Sequence, residues 1–124
     1  MKIPVIWGYF FRRKATMSIL EGSADFICRE IIGTTINPTI YEYGFENEEE
    51  LKIEFADDLK SNDFSGWLYN GTRSGERPAD LGYFIGHQVC STYLNGASDC
   101  QKAKEQLLQC RNPWKILVKS QYFY

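Results

Sequence analysis

Histidine occurs once in the 124 residues, at position 87, and that scarcity excludes much metal chemistry at the outset. A catalytic zinc of the peptidase kind needs three protein ligands, and the chain has no His-Glu-x-x-His stretch to supply two imidazoles and a general base. Cysteine does not fill the gap. The four cysteines, Cys28, Cys90, Cys100 and Cys110, form no C-x-x-C pair, which argues against a zinc ribbon or a dithiol redox motif. Cys100 and Cys110 flank one predicted helix, roughly 15 Å apart at helical rise and too far for a bridge within it, so reduced thiols are expected. Positive charge is not in excess either. With a formal net charge of −2, and basic residues dispersed except for Arg12, Arg13 and Lys14, no basic face for nucleic acid is expected. No apolar run reaches the roughly 18 residues that a membrane span needs. The opening MKIPVIWGYFFRRK has a short apolar block, but its basic cluster comes after that block and no small-x-small site precedes the first helix. A signal peptide is therefore not expected, and the cytoplasm is the default compartment.

What is present suits a core of ordinary size: 44% of residues are apolar and 15% aromatic. The expected organisation is a single domain over 1–124, with an atypical N-terminal segment at 1–15 and the main body at 16–124. Residues 18–32 read as a helix, since Leu20, Ala24, Ile27 and Ile31 recur at helical spacing. Ser18 and Glu21 suit a capping box, and Gly33 suits the C-terminal cap. TTINPTIYEYG is β-branched and broken by Asn37-Pro38, and reads as an extended connection. Asn47 followed by Glu48, Glu49 and Glu50 opens a second helix to about Lys60, with Leu51, Phe55 and Leu59 inward and Glu54, Asp57 and Asp58 in solvent. Pro78 suits the first turn of a helix ending at Asn95-Gly96, and Gly82 and Gly86 inside it suggest close approach of another backbone. Ser98 with Gln101 opens a further helix to about Gln109, and Asn112-Pro113 starts a short last one. The fold class that follows is mainly α: an irregular helical domain of four to five helices with aromatic-rich loops.

Glu21 and Asp25, in LEGSADF, are the acids whose placement asks for an explanation. They lie four apart on one helix face, where like charges weaken an isolated helix by about 0.2–0.5 kcal/mol. Their neighbours Leu20, Gly22, Ala24, Phe26 and Ile27 leave little room for a solvated stripe. A buried carboxylate needs a partner or a metal. A partly exposed first turn that favours acids is the plainer alternative.

The blocks ILEGSADFICREIIG, DFSGWLYNG, RPADLGYFIGHQVCSTYL and NPWKILVKSQYF, in that order over roughly residues 16–123, resemble the C-terminal half of a family of bacterial zinc-dependent peptidases of gluzincin type, assigned as a domain of unknown function. The resemblance implies a fold like the C-terminal part of a zincin peptidase, zinc as cofactor, Glu21 as a metal ligand and Asp25 as hydrogen-bond partner of a ligating histidine, with Gly22 and Ala24 keeping the helix slim beside the ion. It further implies a peptide substrate and a partner segment or polypeptide upstream that carries the His-Glu-x-x-His helix. The chain alone has too few ligands for zinc and is expected to be inactive. His87 and Tyr83, one turn apart, are candidates for hydrogen-bonding an oxyanion or substrate, with a satisfied helix-packing histidine as the alternative. Trp67 and Tyr69 are candidates to line a substrate cleft, with ordinary core cover as the alternative. Arg77 and Asp80 are expected to fix the loop to the helix start. The competing reading of the whole chain is a non-catalytic helical interaction module derived from such a peptidase, binding through an apolar patch of Trp7, Tyr9, Phe10 and Phe11.

Overall fold

Leu81, Phe84, Ile85, Val89 and Cys90 follow helical spacing, and each is almost wholly buried. They form the inward stripe of the helix around which the others gather. The computed structural model describes residues 18, 21–27, 29, 38–61, 66–67 and 77–123. It is mainly helical, with six helices and no strand among those residues. In chain order they are α1, helical at 18, 21–27 and 29; α2, Pro38–Glu46; α3, Glu48–Ser61; α4, Gly82–Asn95; α5, Cys100–Gln109; and α6, Pro113–Ser120. Helix α4 packs against α2, α5 and α6, and α2 against α3. Phe26, Ile40, Tyr41, Leu51, Phe55, Trp67, Leu107, Ile116, Leu117 and Tyr122 close one core with the α4 stripe.

Several elements fall where local chemistry puts them. Asn112 caps α6 by accepting from the Lys115 N–H at 3.2 Å, with Pro113 in the first turn. Helix α4 stops at Asn95, and the Gly96 N–H closes it on the Thr92 carbonyl at 3.1 Å. Leu51 and Phe55 face inward from α3.

Other expectations are corrected. The stretch read as an extended connection is α2: Pro38, which has no N–H to lose, opens it, and Ile40, Tyr41 and Gly44 bury its inner face. Ser18 is itself helical and buried, so it lies inside α1 rather than capping it. The cap of α5 is Asp99, not Ser98: its carboxylate accepts from the Lys102 N–H at 3.1 Å. The last long helix begins at Gly82 rather than near Pro78, because Asp80 takes a left-handed φ of 60°, which interrupts any helix running in from the proline. The first N–H of α4, on Gly82, instead donates to the Trp67 carbonyl at 2.9 Å. Asp58 is half-buried rather than solvated and accepts from the Trp67 indole N–H at 2.9 Å. Gly33, Tyr69, Trp7, Tyr9, Phe10 and Phe11, and the side chains of Cys28 and Leu59, lie outside the described residues.

The close approach suggested by the α4 glycines occurs at Gly86, and its partner is α1. A Cβ added at Gly86 would overlap the Ser18 carbonyl and come within 3.0 Å of the Gly22 Cα; one added at Gly22 would overlap the Gly86–His87 backbone. The two helices therefore cross backbone to backbone. Gly22 is slim for the sake of α4, and Ala24 faces solvent. Gly86→Ala is expected to destabilise the fold by about 3 kcal/mol, the upper end of what overpacking costs, because backbone atoms cannot swing aside as a side-chain end can. Urea unfolding read by circular dichroism measures this, and an unchanged midpoint would refute the crossing.

Candidate functional site

The crossing sets what stands around it. Asp25 lies three residues beyond Gly22 on α1 and His87 one residue beyond Gly86 on α4, so both side chains are carried into the seam between the helices. Asp25 is 4% exposed and His87 5%. Tyr41 of α2 joins them: its hydroxyl donates to Asp25 Oδ2, and its ring meets the His87 ring edge-on with centroids 4.9 Å apart. Phe26, next to Asp25, covers the imidazole at 5.3 Å. The Arg29 guanidinium lies over the Tyr41 ring, 5.7 Å from its centroid. Arg29 is four residues beyond Asp25, so Glu21, Asp25 and Arg29 form a single stripe along α1. The spacing that drew attention to the two acids also held the third member.

Glu21 is half-buried on that stripe. Tyr83 is half-buried one turn before His87 on α4 and packs against the core. Trp67 is fully buried at 0% exposure, with Phe55 edge-on at 5.0 Å and the Arg77 guanidinium 5.1 Å from its centroid. It belongs to the core. Arg77 ties its segment to α3 and to Gly66, through an ion pair with Glu54 and a bond to the Gly66 carbonyl at 3.2 Å, and not to the start of α4 as expected, where Leu81 is the N-cap and no side chain caps the helix.

A second polar chain leads away from His87. Its Nδ1 lies 3.0 Å from Gln88 Oε1, Gln88 Nε2 donates to Glu48 Oε1 at 2.9 Å, and the Tyr122 hydroxyl donates to the same oxygen at 2.8 Å. Tyr41, Gln88, Glu48 and Tyr122 were not singled out from the sequence. Tyr41 sat in a stretch read as a connection, and Glu48 among acids read only as a helix start. Nothing local marks Gln88 or Tyr122. The thiols are free at Cys90, Cys100 and Cys110. Burial pushes the Cys90 thiol up to about 12, with Cys110 beside it adding to the rise.

Among the described residues, no three His, Cys, Asp or Glu side chains gather into a group that could hold a metal ion. The seam instead offers a buried carboxylate with a phenol donor, an imidazole with one nitrogen tied to an amide, and a half-buried second carboxylate one turn earlier. No helix described is long and apolar enough to cross a membrane. No protein-family model, no curated protein and no solved structure matches the chain.

Two measurements check the polar seam. Tyr41→Phe leaves a buried carboxylate without one of its donors and is expected to cost about 1–3 kcal/mol at neutral pH, read from urea midpoints. Burial and the hydrogen bonds to Asp25 and Glu48 hold the Tyr41 and Tyr122 phenols well above their usual range. The folded state therefore keeps protons that the unfolded state gives up above a pH of about 10. Their contribution to stability is complete below that pH and is lost as the pH rises further. Midpoints measured from pH 8 to 11 should fall above pH 10, and fall less steeply in a Tyr41→Phe, Tyr122→Phe double variant.

Proposed function

We propose that the chain is the C-terminal portion of a zinc-dependent metallopeptidase, contributing Glu21 as the third metal ligand and Asp25 as the acceptor that fixes a ligating imidazole. The two imidazoles and the general base come from a His-Glu-x-x-His helix on an upstream segment or a separate polypeptide. By itself the chain is inactive, and the completed enzyme takes a peptide substrate.

The observation that carries this reading is the burial of Asp25 one turn from Glu21, on a helix pressed against its neighbour without intervening side chains. Acids placed at a helix start only to suit its dipole would face water. Asp25 does not, and a carboxylate kept out of water has to be held by donors or serve a charge. A gluzincin-type site uses such a pair: one carboxylate on the ion, and one a turn later behind an imidazole. The ordered likeness of four sequence blocks to the peptidase family supports the same assignment.

The test is to translate the coding region upstream of Met1, express the chain with the His-Glu-x-x-His segment found there, and measure zinc. One equivalent is expected in the completed protein, lost in Glu21→Gln and bound about 10–100-fold more weakly in Asp25→Asn. Nanomolar, stoichiometric zinc in the chain alone, or no such motif upstream or in a co-purifying polypeptide, would sink the proposal.

A further inference from the structure

We propose that copies of this chain associate head to tail, the acidic outer face of α3 in one copy lying in a basic groove between α5 and α6 of the next. Neither face includes a residue of the seam between α1 and α4, so the association stands or falls apart from the peptidase reading.

Cations that look dispersed along the sequence are gathered by the way the chain turns back on itself. Helix α5 ends on Cys110, whose left-handed φ of 44° reverses the chain, and α6 starts at Pro113, so that both helices pack on α4. Two hollows between them meet at Tyr93, whose hydroxyl donates to Gln106 Oε1. Lys102 and Lys119 line one hollow, and Arg111 and Lys115 the other. All four are exposed, and among the described residues none of them has an ion-pair partner. The acid in these walls, Asp99, is engaged as the cap of α5. Lys102 and Arg111 stand toward opposite ends of α5, roughly 15 Å apart at helical rise.

The opposite charge is carried by α3. Glu48 and Glu54 are taken up within the chain, by Gln88 and Tyr122 and by Arg77. Glu49, Glu50 and Asp57 are not: they are exposed and have no ion pair among the described residues. They stand three and four residues on either side of Ile53, so the four side chains share one face, about 12 Å long at helical rise. Ile53 is 71% exposed, an apolar residue ringed by acids.

The two faces are complementary in sign, in length and in pattern. Acids at both ends of one match cations at both ends of the other, and Tyr93 between the cation pairs offers Ile53 a surface to lie on. An isolated surface ion pair contributes little, but several made at once around a small apolar contact add up and exclude partners of the wrong sign. Because the two patches differ, the contact is heterologous, and copies add in one direction rather than closing on a two-fold axis.

Light scattering on the full 124-residue chain tests this as its concentration is raised to about 1 mM, which reaches contacts as weak as surface charges make. In low salt the mean mass is expected to climb at least about twofold, and to return to that of a single chain near 1 M salt, where the screening length is about 3 Å. Lys115→Glu with Lys119→Glu puts acids in the groove, and Glu50→Lys with Asp57→Lys puts cations on α3. Each double variant alone should stay monomeric. Mixed in equal amounts they should associate again, because each then offers the other a face of opposite charge. Circular dichroism checks that both fold, and a variant that does not is replaced by its single substitution, Lys119→Glu or Asp57→Lys. A wild-type chain that remains monomeric in low salt overturns the proposal, whatever other anion its cations capture. So does association that strengthens with salt, the mark of an apolar contact, and so does a mixture of the two variants that stays monomeric.

Discussion

The contact on which the site depends is made by two residues without side chains. Where Gly22 meets Gly86, α1 lies on α4 with no Cβ between them, and every polar group of interest is placed relative to that point. A methyl at either position would push the helices apart, and Asp25 and the Tyr41 hydroxyl would no longer share a buried seam with His87. The crossing costs helix propensity, about 1 kcal/mol for a glycine against an alanine, and what it secures is proximity.

Around that point the molecule buries more polarity than its size requires. One hydrogen-bonded unit runs from Tyr41 to Asp25, the other from His87 through Gln88 to Glu48 and Tyr122. In a low-dielectric interior such groups favour the fold when every member is satisfied, and weigh heavily against it when one is not. An apolar seam of the same shape would hold three helices together more cheaply.

Much of the frame was legible in the sequence, because it is written in local signals. The helical stripe of α4, the Asn112-Pro113 start of α6, the stop at Gly96 and the inward Leu51 and Phe55 need only spacing and end chemistry. The glycine interval gave away a close approach, though not the element that makes it. What was missed depends on partners distant in the chain. Pro38 reads as a break until the apolar face of α2 finds α4. Asp58 reads as a surface acid until Trp67 brings an indole N–H to it, and Glu48 until Tyr122, 74 residues later, donates to it. Asp80 could not be foreseen as a helix breaker, since nothing in its local sequence marks the left-handed backbone it takes. Within the site, the acids and the lone histidine were identifiable by residue type. Tyr41 was not, because its role follows from a helix that local signals failed to reveal.

Tyr122 stands almost at the end of the described chain, yet its hydroxyl shares an oxygen with the amide that faces His87. Information about the imidazole is thus stored well outside the motif that contains it. A comparison of related sequences restricted to the neighbourhood of position 87 would overlook this, whereas one that tracked positions 48, 88 and 122 together would register a loss at any of the three as a change in what stands beside the fourth.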